Sequence, residues 1–135
     1  MDATQIQIRL LTPADASLFR DIRLGGLRCN PEAFGSTFEA ENAQPLTFFS
    51  ERIGGSASFG AFHGSELVGI AGLLIHEGQK EAHKGLLVGM YVRPSARKSG
   101  VGRRLVETII EFARHRVELV QLSVVSENET SAAAV

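Results

Sequence analysis

Met90-Tyr91-Val92-Arg93-Pro94-Ser95-Ala96-Arg97-Lys98-Ser99-Gly100-Val101-Gly102-Arg103-Arg104-Leu105 carries an apolar run through a basic, glycine-containing turn into a helix. Residues 86–92 read as a strand, and Pro94 breaks it. From residue 100 to 115, Val101, Leu105, Ile109 and Phe112 recur at spacings of four, four and three, with Val106, Ile110 and Ala113 beside them. That is the period of an amphipathic helix. Amides in a helix's first turn have no carbonyl partner within it, and the macrodipole places about half a positive charge there. Gly100 and Gly102 have no side chain to obstruct a ligand. A phosphate can therefore reach the amides of Lys98, Ser99, Gly100, Val101, Gly102 and Arg103, with Arg97, Lys98 and Arg103 adding charge. The turn reads as an anion site for a pyrophosphate. It is not a P-loop, because Gly102 is followed by Arg103-Arg104 where Lys-Ser/Thr is needed. Nor is it a dinucleotide fingerprint, because Leu105 stands in place of the third glycine.

Outward from this segment the chain alternates. Ile6, Ile8 and Leu10 alternate with Gln7 and Arg9, the signature of a half-buried strand. Thr12-Pro13-Ala14-Asp15 is a helix start with capping-box spacing, and Leu18, Phe19 and Ile22 extend a helix over residues 13–28 until Asn30-Pro31. Residues 32–44 read as a loop or short turn. A second helix covers residues 46–53 and is closed by Gly54-Gly55. Residues 58–63 and 66–76 form a hairpin across Gly64-Ser65, and 117–125 is a further strand. Residues 127–135 read as the start of another helix. This order predicts an α/β (α+β) domain with helices on both faces of a sheet. The segment 86–125 should be a crossover joining parallel strands.

Composition narrows the function classes. A chain of 135 residues has room for one domain, residues 1–135. A net charge of −1 and the absence of tryptophan argue against nucleic-acid binding. The apolar run 67–75 is too short to span a bilayer, and residues 1–7 are polar rather than signal-like. A single cysteine, Cys29, gives no internal disulfide, so a cytoplasmic setting is expected, with Cys29 a small buried residue. His63 and His115 lack companions at metal spacing and read as surface residues. After His76-Glu77 the second histidine of a zinc-protease motif would fall at Lys80, so no metal is expected.

Val92-x-Pro94, then Arg97-x-x-Gly100-Val101-Gly102 and Leu105, resembles the acetyl-coenzyme A motif of the GNAT superfamily of N-acetyltransferases. Ile8-Arg9 to Asp15 looks like that family's opening strand and turn, and residues 119–128 like the strand and asparagine that follow its cofactor helix. The resemblance implies a mixed, mainly antiparallel sheet with a parallel strand–helix–strand cofactor unit. It implies that the backbone of Met90, Tyr91 and Val92 holds the pantetheine arm. Arg97, Lys98, Ser99, Gly100, Val101, Gly102 and Arg103 would hold the pyrophosphate, and Asn128 would contact the pantetheine or adenine-proximal region. The implied reaction is acetyl transfer from acetyl-CoA to a primary amine of a small molecule or peptide, by direct attack. The implied alternative is an acyl-CoA-binding module impaired in catalysis.

An amine with a pKa near about 10.4 must lose a proton before attack, so a base is required. Glu81 and His83 are the catalytic candidates, and Glu77 lies nearby; each also reads as part of a solvated turn. Phe34, Phe38, Phe48 and Phe49 read first as core packing, with the lining of an apolar amine pocket as the alternative. Glu39 and Glu41 fit either attraction of a cationic acceptor or a solvated acidic loop. The family's usual tyrosine after the asparagine has no counterpart: matched from Asn128, its position falls on Val135, and Tyr91 is not a direct replacement. The family's last two strands are likewise lacking, so the fold is expected to be C-terminally incomplete. That leaves 119–125 at a sheet edge, inviting either truncation or completion by a partner subunit, with a homodimer as the expectation.

Overall fold

β1 (Ile6–Leu10) begins the sheet because Ile6 and Ile8 turn one apolar face inward; Ile6 is buried. In this computed structural model, residues 5–31, 34, 36–55, 57–75, 84–114, 119–124 and 129–134 are described. A 3-10 turn at Pro13–Asp15 leads into α1 (Ala16–Cys29). The Asp15 carboxylate accepts the Thr12 amide at 2.8 Å, the predicted capping interaction, and also receives two bonds from Arg9. Next come α2 (Phe38–Asn42) and α3 (Leu46–Gly54), then β2 (Ala57–His63), β3 (Glu66–Ile75) and β4 (Lys84–Val92). The Pro94–Ala96 turn precedes α4 (Val101–Ala113), and β5 (Leu119–Val124) and β6 (Glu129–Ala134) follow.

The six strands lie in sequence order, all neighbours antiparallel except β4 and β5, which are parallel. The mixed sheet with one parallel strand–helix–strand unit is therefore as the sequence predicts. Helices cover both faces. On one, Val101, Leu105, Ile109 and Ala113 of α4 are fully buried against Phe59, Val68, Ala71 and Leu73 of the sheet. On the other, Phe19, Ile22 and Leu27 of α1 and Phe49 and Ile53 of α3 pack on Phe62, Leu67, Ile70 and Tyr91. At about 25 cal/mol per Å2 of apolar surface buried, these two layers are the main stabilising term. Among the described residues no helix is long and apolar enough to cross a membrane.

Two local readings change. Within 32–44, read as a loop or short turn, residues 38–42 form a short helix, because the Thr37 hydroxyl accepts the Ala40 amide at 3.2 Å as an N-cap. Residues 129–134 are a strand, not a helix. Their pairing, from Leu119↔Ala134 to Val124↔Glu129, satisfies the backbone along one side of β5, and that tertiary demand overrides the helix preference of Ala132-Ala133-Ala134. Residues 119–124 are consequently not at the sheet edge: β6 occupies the side of β5 on which a partner chain was expected to pair.

Candidate functional site

The site is built by β4 leaving its neighbours. Ile70 pairs with Tyr91 and Gly72 with Val88, so Ala71 alone faces both Gly89 and Met90. This is a β-bulge, and Gly89 adopts φ +58°, a left-handed conformation that favours glycine. On its other edge β4 pairs with β5 only from Lys84↔Leu119 to Leu87↔Leu122. Beyond that rung Ser123 and Val124 pair with β6, while residues 88–92 have no partner on the β5 side among the described residues. The two parallel strands cease to pair there and leave a stretch of β4 edge unpaired among the described residues.

The end of β4 is pinned. Arg93 donates its amide to Val68 O at 2.8 Å and its Nε to Leu67 O at 3.0 Å. The turn after Ala96 uses two left-handed residues, Lys98 (φ +67°) and Gly100 (φ +83°). The Ser99 hydroxyl donates to Ala96 O. The first bond of α4 runs from the Arg104 amide to Gly100 O at 3.0 Å, so the amides of Val101, Gly102 and Arg103 stand ahead of the helical ladder. Gly100 has open space where a Cβ would be. A Cβ on Gly102 would lie 2.9 Å from Met90 Cε, so the missing side chain lets α4 approach the bulged strand. The Arg104 guanidinium donates to Ile6 O at 2.8 Å and ties α4 to β1.

The sequence-predicted cofactor residues thus divide. Met90 and Val92 lie on the α4 face beside Gly102, and Val101 is buried beneath the turn. Lys98 and Arg103 are exposed, Arg103 being paired with Glu107 at 2.8 Å. Arg97 is engaged elsewhere: its Nε donates to Val92 O at 3.0 Å, its Nη2 to Asn30 Oδ1 at 2.9 Å, and its guanidinium lies 5.6 Å from the Tyr91 ring centre. It works as a clamp between the end of β4 and the end of α1. Tyr91 faces the opposite side, against Phe34; burial raises its pKa, the neighbouring Cys29 adds to the rise, and the phenol keeps its proton at neutral pH. Glu77, Glu81, His83, His115 and Asn128 lie outside the described residues.

Several side chains differ from their sequence readings. Cys29 is exposed rather than buried, since it ends α1 where the helix leaves the core. Glu41 neither solvates nor faces a free acceptor. It is 2% exposed and holds Arg23, itself 3% exposed, through Nε–Oε1 at 2.5 Å and Nη2–Oε2 at 2.9 Å. Burial pushes the Glu41 pKa up, but the Arg23 bonds and charge outweigh it, and the net shift is downward. Phe49 is core, and Phe34, Phe38 and Phe48 pack, partly buried, against the cluster that contains it, Phe48 on Phe49 and Phe34 on Tyr91. The sequence signal for the buried pair was the Ala16, Phe19, Arg23, Leu27 spacing, which sets Arg23 on the apolar stripe of α1.

A model of the acetyltransferase (GNAT) family matches residues 26–134, and the chain belongs to that family. A search of curated proteins returned no significant match. Among solved structures, the PaiA N-acetyltransferase of Thermoplasma acidophilum, in complex with coenzyme A, superposes with a TM-score of 0.74 at 19% identity, covering 92% of this chain and 82% of that one. A GNAT acetyltransferase of Streptococcus pneumoniae gives 0.72 at 19% identity, over 87% and 73%. A predicted acetyltransferase of Clostridium acetobutylicum, with acetyl-CoA, gives 0.68 at 17% identity, over 92% and 84%. At these identities the likeness is one of fold.

Proposed function

We propose that the chain transfers the acetyl group of acetyl-CoA to a primary amine of a small molecule or peptide. The observation that carries the reading is the parting of β4 from β5 after Leu87↔Leu122, which leaves a strand edge for an extended pantetheine arm to pair with. The residues fit that cosubstrate. The arm would lie along Met90, Tyr91 and Val92, ending at the first turn of α4, where Gly100 and Gly102 leave the amides approachable and Lys98 and Arg103 add positive charge. Arg97 supports the turn from behind, and Asn128, between β5 and β6 in sequence, completes the proposed set. Coenzyme A and acetyl-CoA in two structural neighbours support the choice of ligand.

Bound acetyl-CoA supplies an acetyl thioester. In the chemistry proposed, an amide of the open β4 edge donates to the carbonyl oxygen as negative charge develops there. Glu81 or His83 accepts the proton of the incoming amine, directly or through water. A C–N bond forms, the C–S bond breaks, and the thiolate leaves as the thiol after taking a proton. A second reading, an acyl-CoA-binding module without turnover, is motivated by the family's tyrosine having no counterpart. Calorimetric titration with acetyl-CoA followed by thiol release across an amine panel separates them. Binding with thiol release supports transfer, binding without release supports the module, and no binding defeats both.

A further inference from the structure

We propose that Arg97 is a positioning residue for acetyl-CoA: acting through Asn30, it fixes the open edge of β4 against the end of α1, and it does not itself grip the diphosphate. The inference rests on the acetyl-CoA reading above and brings in Asn30, which lies outside both the strand and the glycine turn. The hydrogen bonds along β4 alternate in direction. The Arg93 amide donates to Val68 O, so Arg93 bonds toward β3, as does Tyr91 two residues earlier, opposite Ile70. Val92 therefore turns its amide and carbonyl to the other side, where among the described residues β5 no longer pairs. Arg97 meets that carbonyl, its Nε donating to Val92 O at 3.0 Å. The last outward carbonyl of β4 thus already has a donor, and the open edge ends there.

The same guanidinium joins the two helical layers around the end of the strand. Arg97 belongs to the turn that leads into α4, which packs on one face of the sheet. Its Nη2 donates at 2.9 Å to Oδ1 of Asn30, the C-cap of α1, which packs on the other face. Between these bonds the guanidinium lies 5.6 Å from the centre of the Tyr91 ring. A planar fork held at three places cannot swing to a ligand without giving up Asn30 or Val92. An arm paired along β4 and anchored at the first turn of α4 needs those two features at a fixed separation. Arg97 sets it, being bonded to the last residue of the strand while belonging to the turn that starts the helix.

The test is calorimetric titration with acetyl-CoA and with 3′-phospho-ADP, which keeps the diphosphate but lacks the arm. Asn30→Ala should weaken acetyl-CoA binding about threefold or more and Arg97→Ala about tenfold or more, while 3′-phospho-ADP changes by less than about twofold in both. The double variant should bind acetyl-CoA no more weakly than Arg97→Ala, because the two side chains act as one unit. Asn30→Asp keeps an oxygen for Nη2 and should restore binding although it adds a negative charge. Arg97→Lys should not restore it, because an ammonium lacks the fork. Equal losses of the two ligands in Arg97→Ala, or recovery in Arg97→Lys, would make Arg97 a phosphate ligand and overturn the proposal. So would Asn30→Ala binding acetyl-CoA as the wild type does, or losses that add in the double variant. Where 3′-phospho-ADP binds too weakly to titrate, the Arg97→Lys result decides. A wild type that binds no acetyl-CoA defeats the cosubstrate reading itself, and this proposal falls with it.

Discussion

Leu87 and Leu122 form the last rung joining β4 to β5, and the left-handed Gly89 bulge follows two residues later on β4. A bulge adds twist and bend to one strand of a pair. Here it falls where β4 loses its parallel partner while still paired with β3 through Tyr91 and Gly69↔Val92. The open edge is therefore held rigidly on one side and left unpaired on the other among the described residues. β4 is in this way part of the core, through Leu87 and Tyr91, and, in the proposed function, the edge along which the pantetheine arm docks.

Gly102→Glu places a carboxylate at the first turn of α4, beside Met90. Repulsion of a diphosphate should weaken acetyl-CoA binding by at least about a hundredfold, measured by calorimetry. The thermal midpoint should stay close to wild type, because the contact displaced is the flexible end of Met90.

Gly100 and Gly102 should respond differently to alanine. Gly100→Ala meets no atom within 4 Å but must hold φ +83°, and should cost about 1 kcal/mol of stability. Gly102→Ala carries no such conformational strain, gains helix propensity, and sacrifices only room for Met90; its stability should change by less than about 1 kcal/mol. Urea unfolding of both variants checks the order.

Glu41→Ala leaves the Arg23 guanidinium buried without its carboxylate and should destabilise the fold by about 3–5 kcal/mol. Arg23→Met combined with Glu41→Leu should recover most of that loss, read by chemical denaturation of the single and double variants.

The Asp15 carboxyl is held down to about 2 from 3.8, chiefly by the side-chain bonds from Arg9, against the cost of burial, with the Thr12 amide helping. A depressed folded-state pKa contributes stability above the unfolded value and loses it as pH falls through the folded one. Because Arg9 is half exposed, the contribution is discounted to about 1 kcal/mol. Asp15→Asn should lower stability by that amount at pH 6, and the difference should vanish between about pH 4 and pH 2 in urea titrations.

Much of this was readable from residues. The Val101, Leu105, Ile109 stripe gave α4, Thr12-Pro13-x-Asp15 gave the start of the first helical segment, and Gly64-Ser65 gave the hairpin, because each is a local signal. The parallel unit and the glycine turn followed from their order. What was not legible depended on contacts distant in sequence. The alanines of β6 pair with β5 although their own preference is helical. Glu41 meets Arg23 from 18 positions away, so an acidic loop residue became a buried partner. Arg97 bonds Asn30 across 67 positions, which no motif spacing reveals.

Hydrogen–deuterium exchange with and without acetyl-CoA tests the central claim most directly. The segment 89–93 should gain strong protection on adding acetyl-CoA, together with 99–103 at the start of α4, while 86–87, already paired on both sides, should change little. Unchanged exchange at 89–93 under saturating acetyl-CoA, or protection confined to another face of the sheet, would contradict the account.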